Sequence, residues 1–272
     1  MQTVSIVIPV FNAEQTIADL CASIADVLKS ITSDFEIILV DDGSRDDSWA
    51  RIQSIAESSD KVHGVKLGRN FGQHNALLCG IRLARHEFTV TIDDDLQHPP
   101  SEIPALLSKL SEGHDVVYGS PRVERHGFMR NIASRLTKLT LQAAMGVEAA
   151  QDASAFRAFR TELRDSFASF QSPNVSIDVL LSWSTSRFTS VRVDHLPRAI
   201  GGSNYTLRKL VAHALNLVTG FSGLPLRLAS YAGFILTVFG MMVLTYVLIR
   251  YFINGVNVPG FAFLASIIAI FS

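Results

Sequence analysis

Through the first 120 residues of this chain, short β-type runs alternate with stretches of helical periodicity, and that alternation leaves little choice of fold. The runs are Val4–Val10, Phe35–Val40, Val62–Leu67, Phe88–Ile92 and Asp115–Tyr118. Between them lie the predicted helices Ala13–Lys29, Asp46–Ser58, Gln73–Ala84 and Ser101–Leu110. Strand, helix, strand in regular succession implies an α/β fold with a mainly parallel sheet flanked by helices. Such sheets bind ligands beyond the carboxyl ends of their strands. Glu14, Asp41, Asp42, Arg69 and the segment Asp93–Gln97 all follow strand ends and are expected to share one cleft.

The sharpest chemical signal is the run Asp93-Asp94-Asp95-Leu96-Gln97-His98-Pro99-Pro100, which closes the fourth predicted strand. Three adjacent carboxylates repel one another and call for a partner. If strand alternation persists, Asp93 and Asp95 converge while Asp94 turns away. Mg²⁺ or Mn²⁺ suits that geometry, because a hard cation takes one or two carboxylates and fills its other positions with water and phosphate oxygens. Gln97 offers a further oxygen. The plainer alternative is a solvated acidic turn before a helix that starts near Pro99 or Pro100.

Neither a Walker loop nor a glycine fingerprint follows the first strand. The pair Asp41-Asp42, followed by Gly43-Ser44, suits acceptance of hydrogen bonds from amide or sugar hydroxyl groups. An Asx-type turn that caps the helix at Asp46 is the competing reading. Farther on, Arg122, Arg125, Arg130, Arg135 and Lys138 form a basic stretch whose first half is broken by Gly119, Pro121 and Gly127, and Asp152 and Arg157 follow in a turn-like setting. Arginine forks bind phosphate well, although Arg135 and Lys138 also fit a solvated helix face.

Hydropathy divides the chain. The mean hydropathy of +0.26 is high for a purely soluble protein, and the apolar residues crowd the C-terminus. From Leu226 to Ile249 only Arg227 is charged, over about the length that spans a bilayer core. The expected organisation is a globular α/β domain over 1–204, an amphipathic juxtamembrane segment over 205–225, a transmembrane helix over 226–250, and a second hydrophobic segment over 256–272. That last segment reads as a truncated hairpin helix or a re-entrant segment, and it could also mediate homo-oligomer assembly. Ser203, Tyr205, Arg208 and Lys209 fit interfacial anchors that also meet a lipid head group. Met1–Pro9 lacks the basic opening of a signal peptide, so the first 225 residues are expected to be cytoplasmic. Arg198, Arg208, Lys209 and Arg227 precede the span, as the positive-inside rule asks, while Arg250 lies beyond it. Cys21 and Cys79 fall in predicted helices and are expected to be reduced and packed. A net charge of −1 argues against nucleic acid as a partner.

Taken in order, Ser5–Glu14, Ile38–Ser44, Arg69–Gln73, Asp93–Pro99, Asp152–Arg157 and Gly202–Lys209 resemble the motifs of family 2 glycosyltransferases of the GT-A fold. Within them the resemblance is to the polyprenyl-phosphate glycosyltransferases, the group that includes dolichyl-phosphate mannose synthase and undecaprenyl-phosphate sugar transferases. It covers nearly all of the chain. It implies that Pro9, Phe11, Glu14, Asp42 and Asp94, with Asp41 and Arg69 beside them, bind the nucleotide, and that Asp93, Asp95 and Gln97 place the metal. Arg122, Arg130, Arg135 and Arg157 are implied at the acceptor phosphate, with Asp152 and Asp95 as catalytic carboxylates.

The implied reaction is inverting transfer from a nucleotide sugar to a polyprenyl phosphate at the cytoplasmic face of the inner membrane. UDP is the expected carrier and GDP the alternative. A phosphate acceptor is already largely ionised at pH 7, so Asp152 is expected to orient rather than deprotonate. Two rivals remain: transfer to a glycolipid or glycan hydroxyl, where Asp152 must act as base, and a non-catalytic subunit that binds sugar nucleotides. Two departures stand out: Asp94 where many relatives carry Ala, and Pro121 just before Arg122. No Gln-x-x-Arg-Trp motif is present, which argues against a processive polysaccharide synthase.

Overall fold

In the computed structural model the described residues are 2–32, 34–122, 152–196 and 224–254, with Gly260, Leu264 and Ile267 beyond them. The chain divides into two units, Met1–Gly220 and Phe221–Ser272.

The first unit is built on a sheet whose centre is buried on both faces. β1 (Val4–Val10) and β2 (Phe35–Asp41) have every residue buried, as expected for strands rich in Val and Ile that are covered above and below. β3 (Val62–Lys66), β4 (Phe88–Thr91), β5 (Val116–Pro121), β6 (Arg157–Arg160) and β7 (Phe188–Val193) complete seven strands in the order β3-β2-β1-β4-β6-β5-β7. β1 runs parallel to β2 and β4, and β2 to β3. β6 runs antiparallel between β4 and β5, and β7 returns parallel to β5. The sheet is therefore mixed. β6 left no apolar signal because its four residues, Arg-Ala-Phe-Arg, begin and end in arginine.

Strand alternation sorts the core into two layers. Ile6 and Ile8 of β1 pack with α1 (Ile17–Ile31), with Ile52 of α2 (Ser48–Ser58) and with α4 (Ile103–Ser111). Val7 faces the opposite layer, formed by α3 (Gln73–Leu83) and α5 (Ile177–Ser184). In α1 the buried residues Ile17, Leu20, Cys21, Ile24 and Leu28 follow helical spacing. That helix begins four residues after the Ala13 expected from sequence, because the Ala13 amide donates to Ser48 Oγ (2.8 Å) and the preceding turn is committed to the β2 loop. Both cysteines are free thiols. Burial pushes Cys21 up to about 12 and raises Cys79 as well, which keeps both protonated and unreactive.

The second unit holds α6 (Leu224–Asn254), in which Ala229–Arg250 is long and apolar enough to cross a membrane. Among the described residues no part of that window is buried in protein, unlike the core helix of a soluble domain.

Candidate active site

The loops beyond the carboxyl ends of β1 to β4 are tied to one another in a ring. From β1 to β4, the Phe11 amide donates to Asp94 Oδ2 (3.0 Å), and Thr16 Oγ1 donates to the Asp94 carbonyl (2.7 Å). From β1 to β2, the Asn12 amide donates to Ser44 Oγ (3.0 Å) and the Arg45 amide to Asn12 Oδ1 (2.8 Å). The carboxylate of Glu14 accepts from the Asp47 amide at the start of α2 (3.0 Å). From β2 to the loop after β3, Asp42 accepts from the amides of Phe71 (2.7 Å) and Gly72 (2.9 Å). Gln73 Nε2 donates to Asp93 Oδ1 (2.6 Å) and closes the ring.

Local backbone explains the tight turns. Asn12 (φ 54°) and Leu96 (φ 59°) sit in the left-handed region, which Asn tolerates and Leu does so only at a cost of about 1–2 kcal/mol. Strain held at Leu96, inside the acidic turn, fits a segment whose geometry is set by function rather than by local preference.

The structure changes how the acidic triplet works. β4 ends at Thr91, so Asp93–Asp95 lie in a turn and strand alternation does not aim their side chains. Asp94 reaches toward β1 and Asp93 toward Gln73 of α3, while Asp95 Oδ1 accepts from the Gln97 amide (3.1 Å). Among the described residues no three His, Cys, Asp or Glu side chains form a metal cage. The donor set nevertheless fits a hard cation, because the half-buried turn offers carboxylate oxygens and such ions commonly take only one or two of these beside substrate phosphates.

Several expected nucleotide contacts hold the cleft's frame. Pro9 is buried within β1, paired with Val40 of β2. Asp41 is fully buried, and its Oδ1 accepts from the Ser44 amide (3.1 Å). Burial raises the Asp42 carboxyl above its ordinary range, outweighing the two amide hydrogen bonds that favour the ionised form. At the cleft rim Phe11 and Phe71 remain 42% and 47% exposed, and Arg69 lies 4.7 Å above the Phe71 ring.

The segment that carries Asp152 is tied to the end of the strand that leads into the acidic turn. Thr91 Oγ1, two residues before Asp93, donates to the Ala155 carbonyl (2.6 Å). His98, 7% exposed, stacks at 5.1 Å on Phe156. The Asp152 carboxylate accepts from Ser190 Oγ (2.8 Å) and lies 3.7 Å from an Arg192 nitrogen, while its carbonyl accepts from Ser120 Oγ (2.9 Å). Arg122 is exposed and paired with Asp194 (3.2 Å). Sequence reasoning missed Ser190 and Arg192. Their weak signal was the alternation of Ser190 and Arg192 with Val191 and Val193 along the strand.

Arg157 requires a correction. It was expected at the acceptor phosphate, yet it is 2% exposed and bound to Asp178 (2.5 Å), which also accepts from Tyr118 Oη (2.9 Å). A guanidinium so enclosed serves the core. Arg130, Arg135, Ser203, Tyr205, Arg208 and Lys209 lie outside the described residues.

Fold and cleft together define an α/β protein with a GT-A-like mixed sheet and an acidic turn at its carboxyl edge. The profile described as Glycosyl transferase family 2 matches residues 5–167, and the chain belongs to that family. It is 35% identical over 240 residues to an undecaprenyl-phosphate 4-deoxy-4-formamido-L-arabinose transferase of Pseudomonas fluorescens strain SBW25, covering 88% of this chain and 70% of that relative. An equally named protein of Serratia proteamaculans strain 568 is 34% identical over 244 residues, covering 89% and 74%. Among solved structures, a glucosyl-3-phosphoglycerate synthase from Mycobacterium tuberculosis, in complex with Mn²⁺ and uridine-diphosphate-glucose, superposes with a TM-score of 0.58. At 23% identity, over 81% of this chain and 79% of that one, this likeness speaks for the fold.

Proposed function

We propose that this protein transfers a sugar from a nucleoside diphosphate, with UDP the expected carrier, to undecaprenyl phosphate at the cytoplasmic face of the inner membrane. The observation that carries the reading is the setting of Asp152: its segment is tied through Ala155 to Thr91, just before the acidic turn, its carboxylate lies beside the exposed Arg192, and its carbonyl accepts from Ser120, two residues before the exposed Arg122. A donor diphosphate needs cation-binding oxygens, and an anionic acceptor needs arginines. The names of the relatives and the membrane-length helix α6 support the same acceptor.

Asp93, Asp95 and Gln97 would hold Mg²⁺ or Mn²⁺, whose chemistry there is electrostatic stabilisation of the departing nucleoside diphosphate. The chain's own residues do the rest. Hydrogen bonds from the Phe11 amide to Asp94 and from the Phe71 and Gly72 amides to Asp42 fix the donor cleft before substrate arrives. Asp152 orients the acceptor side, and the phosphate oxygen, largely ionised at pH 7, attacks the anomeric carbon without prior deprotonation.

The test is incubation of membranes containing the full chain with undecaprenyl phosphate, Mg²⁺ or Mn²⁺ and labelled UDP- and GDP-sugars, 4-deoxy-4-formamido-L-arabinose among them. Metal-dependent label in an acid-labile, butanol-extractable lipid, lost in Asp95→Ala, is the expected result. Bound nucleotide with no lipid label from any donor would sink the proposal.

A further inference from the structure

Three ion pairs on this face of the sheet differ in kind. β5 and β7 are parallel neighbours with Tyr118 beside Ser190 and Ser120 beside Arg192. Alternation therefore puts Tyr118 and Ser120 of β5, with Phe188, Ser190 and Arg192 of β7, on one face. The lower part of that face is closed: Arg157 and Asp178 are 2% and 10% exposed and 2.5 Å apart, beside Tyr118. One step up, Arg192 and Asp152 are 62% and 35% exposed and 3.7 Å apart, too far for a hydrogen bond. At the top Arg122 and Asp194 are 60% and 61% exposed.

A pair built for structure looks like the lower one. Arg192 is instead held loosely, by Asp152 and by a 3.3 Å hydrogen bond to the Pro121 carbonyl, the residue before Arg122. Exposed pairs of this kind bind weakly, whereas a guanidinium fork on a phosphate forms two charge-assisted hydrogen bonds. Asp152 keeps its place without Arg192, because Ser190 Oγ holds its other oxygen and Ser120 Oγ its carbonyl.

From this arrangement, and resting on the phosphate-acceptor reading above, we infer that Arg192 is an acceptor-binding residue: together with Arg122 it takes the phosphomonoester of the incoming lipid and carries it against Asp152. The acidic Asp152 by itself would repel a dianion. Arg192 lies where that repulsion has to be offset.

The test measures binding of undecaprenyl phosphate and of undecaprenol to the full-length protein in detergent micelles, with steady-state kinetics in parallel for Arg192→Ala, Arg192→Lys and Ser190→Ala. The expected result is a wild-type preference for the phosphate that Arg192→Ala loses, an acceptor KM raised by about tenfold or more with donor KM unchanged, and partial recovery in Arg192→Lys. A preference retained by Arg192→Ala overturns the inference and leaves the function standing. So does a fall in kcat alone matching that of Ser190→Ala, which would make Arg192 only a support for Asp152. A wild-type protein that binds undecaprenol as well as the phosphate overturns the acceptor reading and this inference with it.

Discussion

At Gly43 the chain has no room for a side chain. A Cβ there would stand 2.7 Å from both the Arg69 carbonyl carbon and the Asn70 nitrogen, and φ is +70°. The loop that Asp42 grips is thus pressed against the β2 turn. Gly43→Ala is expected to cost about 1–3 kcal/mol through steric conflict and strain, and to raise donor KM because the Arg69–Gly72 loop must move away. Gly68→Ala, with nothing within 4 Å, is the matched control and should leave both nearly unchanged. Urea denaturation and donor titration would read the two effects. Arg157 makes the opposite point, that a basic residue in a functional-looking motif can belong to the core. Its removal in Arg157→Met strands the Asp178 carboxylate, and a loss of about 3–5 kcal/mol is expected, with partial recovery in the double variant Arg157→Met/Asp178→Leu. Unchanged stability with lost activity would return Arg157 to the phosphate.

Among the elements, β5, β6 and β7 are joined at their lower ends by one carboxylate. Asp115 accepts from Arg187 Nε (2.9 Å) and Nη2 (2.7 Å) and from Thr185 Oγ1 (2.6 Å), and Arg160 lies 3.4 Å away. Burial pushes its carboxyl up, but Arg187, Thr185 and Arg160 outweigh this and hold it below the ordinary range. A carboxyl lowered in the folded state contributes stability above its unfolded pKa of about 3.9 and loses it as pH falls through the folded value. Asp115→Asn should therefore be less stable than the parent at pH 7, and the gap should close as pH drops below about 4. Denaturation midpoints across that range decide it; a gap that stays constant to pH 2 would mean that packing, not charge, joins these strands. The elements also show what sequence could reveal. β1 and β2 announced themselves through runs of Val, Ile and Leu, β4 through alternating Thr with Phe and Val, and the acidic turn through its adjacent carboxylates. β6 is too short and too charged for such a signal. Its antiparallel pairing also breaks the regular strand-helix succession from which a parallel partner would be expected. Ser190 and Arg192 escaped notice because their meaning lies in the register of β7 on β5, a long-range fact.

For the whole molecule the second unit sets the solvent that α6 needs. In a water-soluble fold the side chains of α6 would be costly: Phe234, Phe239, Met242 and Phe252 are 70%, 58%, 59% and 80% exposed. Burying such side chains is worth about 1.5–3 kcal/mol each, so a helix of this length has to find an apolar solvent. Its mean hydropathy of 2.3 over Ala229–Arg250, with nothing among the described residues covering it, makes the bilayer the expected one. The binding should then be that of an integral segment. Membranes carrying the full chain are expected to retain it through high salt and alkaline carbonate and to release it only with detergent. A chain ended before Leu224 should shift toward the soluble or salt-extractable fraction, because any remaining membrane contact would be interfacial. Phe239→Arg sharpens the test, since a charge near the middle of the span costs about 2.5–3.5 kcal/mol of insertion and should weaken carbonate resistance without touching the sheet. If salt alone strips the intact chain, α6 does not span, and the lipid acceptor must reach Asp152 by another route.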